Sequence, residues 1–127
     1  MFIWMAVIFG LSHQANSGTM TEEYFGSFNV AIRKFGHVSE YFILFSLIRW
    51  ALSGTIFNTA SNLILSAVFS ILYALSDEWH QSFVPGRSAS LQDVSIDSSG
   101  VVLALVTHLI VQKLSNKKTD RGKTDVI

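Results

Sequence analysis

The stretch Asn58–Ser76, NTASNLILSAVFSILYALS, decides the fold: its 19 residues carry no acidic or basic side chain. A helix that crosses a bilayer needs about 20 mostly apolar residues. Serine and asparagine are sprinkled through the run, which suits helices that pack closely in lipid. Charge returns on both flanks, at Arg49 upstream and at Asp77 and Glu78 downstream.

Working outward, a second run extends from Val94 to Gln112, with Asp97 and His108 inside it and Gly100 among serines. A third, Val38 to about Leu52, contains Glu40, ends near Arg49 and Trp50, and is closed by Ser53-Gly54. The last, Phe2 to Leu11, is apolar but only about 15 Å long as a helix, with a continuation through Ser12 to Ala15 open to it. It lacks the basic leader and the small-x-small cleavage site of a signal peptide, so it reads as a helix. The expectation is an all-α integral membrane bundle of about four transmembrane helices. Residues 1–114 form the membrane domain and residues 115–127 a disordered cytoplasmic tail. The long connections are Ser12–Gly36 and Glu78–Asp93.

Composition agrees. Half of the 127 residues are apolar and 14% are charged, against roughly 25% in soluble globular chains. One proline favours long helices over a turn-rich β fold, and the absence of cysteine removes disulfides, thiolate zinc sites and cysteine nucleophiles. A formal net charge of zero argues against nucleic acid as a partner; the partner this composition calls for is the lipid bilayer. Oligomeric state is not encoded in any feature of the sequence.

Basic residues near span ends set orientation. With four spans, Arg49, Lys113, Lys117, Lys118, Arg121 and Lys123 fall on the side of the termini, against Arg33, Lys34 and Arg87 opposite. That bias puts both termini of a multi-pass membrane protein in the cytoplasm. Trp50 and Trp79 then stand at opposite interfaces.

This topology gathers distant polar groups in the outer leaflet. His37 and Glu40 are three apart and share a helix face; Asp93 and Asp97, four apart, do so if their helix starts early enough. Asp77, Glu78 and His80 end the third span. Ionisable residues at membrane depth are costly and face a bundle interior or a wet cavity, which singles out Glu40 and Asp97. In the following link Pro85-Gly86 makes a tight turn, and Arg87 supplies a fork for carboxylate or phosphate. Ser88 and Ser90 add hydroxyls, and Ser90 or Asp93 caps the last helix. Plainer roles stay open. Arg87 either neutralises Glu40, Asp93 or Asp97 or holds an anionic ligand. His37 and Glu40 form either an interfacial pair or part of a site. Asp77 or Glu78 sits as a solvated group among headgroups, His108 packs, and Asn58 and Asn62 join helices.

The run Asp77-Glu78-Trp79-His80-Gln81-x-Phe83-x-Pro85-Gly86-Arg87, followed by Asp93, Asp97 and Gly100, resembles the signature of the VanZ-like family. So do Lys34-x-Gly36-His37-x-x-Glu40-Tyr41 and Leu11-Ser12-His13-Gln14, and the resemblance covers about Leu11 to Leu109. It implies a small membrane protein of about four helices and a role in the cell envelope, the family's namesake being associated with resistance to the glycopeptide teicoplanin. The first apolar run here is shorter than that family's first helix. Two functions follow. In the first, His37, Glu40, Asp77, Glu78, His80, Gln81, Arg87, Ser88, Asp93 and Asp97 bind a lipid-linked or glycopeptide ligand, with no cofactor. In the second, the carboxylates and histidines serve an intramembrane enzyme on a lipid-linked phosphate substrate, assisted by Mg²⁺ or Ca²⁺.

Overall fold

The computed structural model describes residues 1–14, 23–55, 58–87 and 90–124, with side chains as far as residue 117. The described residues form four α-helices and no strand: α1 Phe2–Ser12, α2 Asn29–Leu52, α3 Thr59–Gln81 and α4 Leu91–Thr124. A 3-10 turn, Gly26–Phe28, leads into α2. The all-α expectation holds. Two segments are long and apolar enough to cross a membrane, Thr59–Gln81 and Leu91–Lys117. The 11 residues of α1 reach only about 16 Å at 1.5 Å per residue, and α2 carries Arg33, Lys34 and Glu40 in its first half.

The helices overrun the apolar segments that announced them. α2 begins at Asn29, well before Val38, so much of the expected Ser12–Gly36 connection is helical. α3 continues through Asp77, Glu78, Trp79 and His80 to Gln81, which shortens the next connection to Ser82–Ser90. α4 runs on to Thr124 through the polar stretch expected to be a disordered tail. The cause is common to all three. Helical hydrogen bonds close within the chain, and Lys, Arg and Gln are good helix formers, so a helix need not stop where the solvent changes.

What does stop the helices is local chemistry. Asn58 caps α3, its side-chain oxygen accepting from the Ser61 backbone N–H at 2.9 Å. Ser90 Oγ accepts from the Gln92 N–H at 3.1 Å at the start of α4. Between them Val84-Pro85-Gly86-Arg87 closes a β-turn with a 3.1 Å bond from Arg87 N–H to the Val84 carbonyl. Gly86 holds φ +77°, the value that a type II turn requires after proline and that glycine adopts without a Cβ penalty.

The bundle buries polar side chains beside an apolar core and carries large apolar side chains on its outer faces. Asn62, Ser66, Ser70, Asp77, Glu78, Gln81 and Asp97 are buried, while Ile64, Phe69, Leu72, Val102, Leu103 and Ile110 lie on the exposed faces of α3 and α4. A soluble fold would lose free energy with this arrangement; a lipid-solvated one does not. Tyr41, Leu44, Phe45 and Ile48 of α2 form the apolar core with Ile8, Leu63, Ala74, Val101 and Ala104. Ser66 and Ser70 bond back to the carbonyls of Asn62 and Ser66 at 2.7 and 2.8 Å, which satisfies the hydroxyls and keeps the α3 face small. Asn62 Nδ2 reaches the Leu52 carbonyl at 3.1 Å, joining α3 to the end of α2 as its composition suggested. His108 packs on the Phe45 ring, centroids 5.8 Å apart.

α2 packs most extensively against α4. Gly100 makes that possible: a Cβ there would collide with the Val38 carbonyl. α1 is pinned across the bundle by Trp4 Nε1, which donates to the Glu40 carbonyl at 3.0 Å, and by Tyr73 Oη, which donates to the Met5 carbonyl at 2.7 Å. Because α1 is short, an apolar cavity of about 560 Å³ opens beside its N-terminal end, against Leu44, Ile48, Phe69 and Leu72. It is the largest cavity described and contains none of the chemistry.

Candidate functional site

The polar residues meet where α1 ends, α2 begins, α3 ends and α4 begins. The first unit ties α1 to α3. Ser12 Oγ donates to Asp77 Oδ2 at 2.7 Å, and Gln81 Nε2 donates to the same oxygen at 2.8 Å and to Ser12 Oγ at 3.3 Å. Asp77 and Gln81, four apart, share a face of α3, and all three residues are buried. Such a network satisfies one oxygen of a carboxylate that would otherwise be stranded at membrane depth.

The second unit ties α2 to α4. His37 Nδ1 and Asp97 Oδ1 lie 2.9 Å apart, with Asp97 fully buried. α4 starts at Leu91, early enough for both Asp93 and Asp97 to be helical. His37 precedes the apolar run of α2. The hydrogen bond that His37 Nδ1–H donates to Asp97 raises the pKa of the imidazolium above the ordinary histidine value, against the lowering effect of burial. With Nδ1 committed, Nε2 is the free ring nitrogen.

Glu78 serves the loop. Its Oε2 accepts the Ser90 backbone N–H at 2.8 Å and so fixes the entry to α4. Arg87, aimed by the Pro85-Gly86 turn, donates from Nη1 to the Ser12 carbonyl at 2.9 Å and the Leu11 carbonyl at 3.3 Å. The Leu11 carbonyl also accepts the Gln14 N–H at 3.3 Å, and both carbonyls lie at the C-terminal end of α1, where a cation is favoured.

These units border one cavity of about 350 Å³, lined by Leu11, Ser12, Gln14, Ile32, Arg33, Gly36, His37, Glu40 and Arg87, within the size range of small-ligand sites. Glu40 and Arg33 have no side-chain hydrogen bond or ion pair among the described residues. A smaller cavity of about 250 Å³ adjoins it through Arg33 and His37 and adds Lys34, Ser90, Gln92 and Asp93. The site therefore presents guanidinium groups, an oriented imidazole and a carboxylate to a common space.

The structure brings most of the expected residues together and corrects several roles. Arg87 pairs with backbone carbonyls, not with Glu40, Asp93 or Asp97; among the described residues the ion pair is His37–Asp97. Neither Asp77 nor Glu78 is a solvated group, since each is only 4% exposed. His80 turns away from Glu40. Its Nε2 lies 3.2 Å from His13 Nδ1; the His13 ring stacks with Phe9 and the His80 ring lies tilted against it, beside a separate cavity. Ser88 lies outside the described residues, as do Ala15 and Glu22. Among the described residues no three His, Asp or Glu side chains stand close enough to hold one metal ion. Asp77 Oδ1, Glu78 Oε1 and Asp97 Oδ2 are buried without a hydrogen-bond partner. Sequence reasoning overlooked Ser12, Gln14 and Arg33 as lining residues. Only the short Ser12-His13-Gln14 motif hinted at the first two, and Arg33 looked like an orientation signal.

The family model described as VanZ/LLP1 matches residues 1–112 of this chain. No curated protein and no solved structure gives a match.

Proposed function

This chain belongs to the VanZ/LLP1 family, and from that premise we propose that it is a four-span protein of the bacterial inner membrane whose outer-leaflet pocket binds the polar part of a lipid-linked or glycopeptide ligand. The observation that carries the proposal is the 350 Å³ cavity, in which Arg33, Arg87, His37 and Glu40 surround one space. Charged groups of this kind are retained inside a lipid-facing bundle where they meet a ligand or a wet path. The bias of basic residues supports cytoplasmic termini, and in this reading α1 and α2 complete the bundle begun by the two longer apolar helices. Membership of the family supports extending the reading to a role in the cell envelope and in teicoplanin tolerance.

A reporter after Ile127 should read cytoplasmic, while a tag between Ser82 and Ser90 should be labelled from outside intact cells. Expression of the chain should alter teicoplanin tolerance, and Glu40→Gln should remove the effect. Labelling of the loop only after permeabilisation, or tolerance indifferent to Glu40→Gln, would refute the reading.

One observation favours enzymatic action on a lipid-linked phosphate substrate as a second reading. Asp97 orients His37 as an orienting carboxylate does a general base, with Nε2 left for a proton of the substrate. In that case His37→Asn abolishes turnover while ligand binding survives.

A further inference from the structure

The charge pattern inside the 350 Å³ cavity is mixed, and the mixture is specific. Arg87 spends Nη1 on the Leu11 and Ser12 carbonyls, and its remaining N–H groups have no protein acceptor among the described residues. Arg33 lines the same cavity and donates to none. His37 keeps Nε2 free because Nδ1 faces Asp97. These donors ask for an anion with several acceptor oxygens, and guanidinium forks match phosphate best. Yet Glu40 lines the same wall with its carboxylate unpaired. A ligand carrying only negative charge would meet Glu40 as a like charge. A ligand carrying only positive charge would meet the two arginines.

Resting on the pocket reading above, we propose that the cavity takes a zwitterionic phosphodiester–ammonium group, its phosphate held by Arg33 and Arg87 and its primary ammonium by Glu40. A primary ammonium is required over a quaternary one because only the former donates N–H bonds to a carboxylate. The positions agree with the cavity: Arg33, Gly36, His37 and Glu40 follow one another along one face of α2, at the three- and four-residue spacings of neighbouring turns. Gly36 between them carries no side chain, and a Cβ there would meet nothing within 4 Å, so the ligand has room against the helix.

The test uses the purified full-length chain reconstituted with vesicles of phosphatidylethanolamine, phosphatidylcholine or phosphatidylglycerol, with soluble glycerophosphoethanolamine as a further arm. Bound lipid is counted by native mass spectrometry, and displacement by the soluble compound is measured alongside. The ethanolamine lipid should be preferred over both others by about tenfold, the worth of one charge-assisted hydrogen bond. Glu40→Gln should erase that preference while retaining phosphatidylglycerol binding; Arg33→Gln should weaken all three. Displacement by glycerophosphoethanolamine would identify the free headgroup as sufficient, and its failure would assign the source to the lipid; either agrees with the zwitterionic chemistry. Equal binding of the three lipids, unchanged in Glu40→Gln but weakened in Arg33→Gln, would overturn the zwitterion inference and leave the pocket reading standing. Binding indifferent to both substitutions would overturn the two together.

Discussion

Replacing Gly100 by alanine places a Cβ against the Val38 carbonyl, at the closest approach of α2 and α4. A carbon and a carbonyl oxygen settle no nearer than about 3.3 Å, so the helices must part by on the order of 1 Å. The obstacle is backbone, and no rotamer change relieves it. Overpacking of this kind costs about 1–3 kcal/mol. The displacement also acts next to His37 and one turn from Asp97, whose 2.9 Å bond does not survive it; a hydrogen bond to a charged group contributes about 1.5–3 kcal/mol. Alanine returns about 1 kcal/mol in helix propensity over glycine. The net loss is about 1.5–5 kcal/mol, a fall in melting temperature on the order of 10 °C for a chain of this size. The assay is thermal unfolding in one detergent, with Gly10→Ala and Gly36→Ala as controls, since a Cβ at either meets nothing within 4 Å. Both controls should match or exceed the parent protein. If Gly100→Ala melts together with Gly36→Ala, the close α2–α4 contact is wrong.

Three further outcomes follow from the site. Arg87→Met should cost about 1–2 kcal/mol, the ordinary range for a lost cap, and neither Glu40→Gln nor Asp97→Asn should restore it, because Arg87 bonds to carbonyls; thermal unfolding of the double variants decides this, and rescue by either would reinstate a buried ion pair. Ser12→Ala should loosen α1 by removing the donor to Asp77 and cost about 1.5–3 kcal/mol, read as faster proteolysis near residues 13–14 with α3 and α4 intact. The His37 contribution to stability should be complete below the ordinary histidine pKa and be lost as pH rises through its folded-state pKa, which lies above the unfolded value; Asp97→Asn should flatten that dependence, and an unchanged pH profile in the variant would contradict the pairing.

The fold was legible where hydropathy speaks and illegible where it does not. The uncharged run Asn58–Ser76 and the run Val94–Gln112 announce the two helices that pass on length and apolar character. Pro85-Gly86 announces a turn by well-defined backbone chemistry, whereas Asn58, expected to join helices, caps α3 instead. Helix ends inside polar sequence gave no such signal, so the first eight residues of α2 and the last turn of α3 were read as connection. The convergence of His37, Glu40, Asp77, Arg87 and Asp97 was readable because adjacent spans must return to the same side. Pairing within the cluster was not, since it depends on side-chain direction. Arg87 finds the Ser12 carbonyl only because the type II turn folds it over α1. His80 meets His13 because it stands three residues beyond Asp77, rotated away from the face that holds Gln81.

The proposed function requires the polar pocket to open to water on the outer side of the membrane. The chain has no cysteine, so a single introduced thiol reports without background. Gly36→Cys places it on the wall of the pocket, where a side chain has room, and Phe69→Cys places one on the exposed apolar face of α3. A charged, membrane-impermeant thiol reagent added to intact cells should modify Gly36→Cys within minutes and leave Phe69→Cys untouched. Modification of Gly36→Cys only after the cells are permeabilised, or no faster than that of Phe69→Cys, would contradict the account.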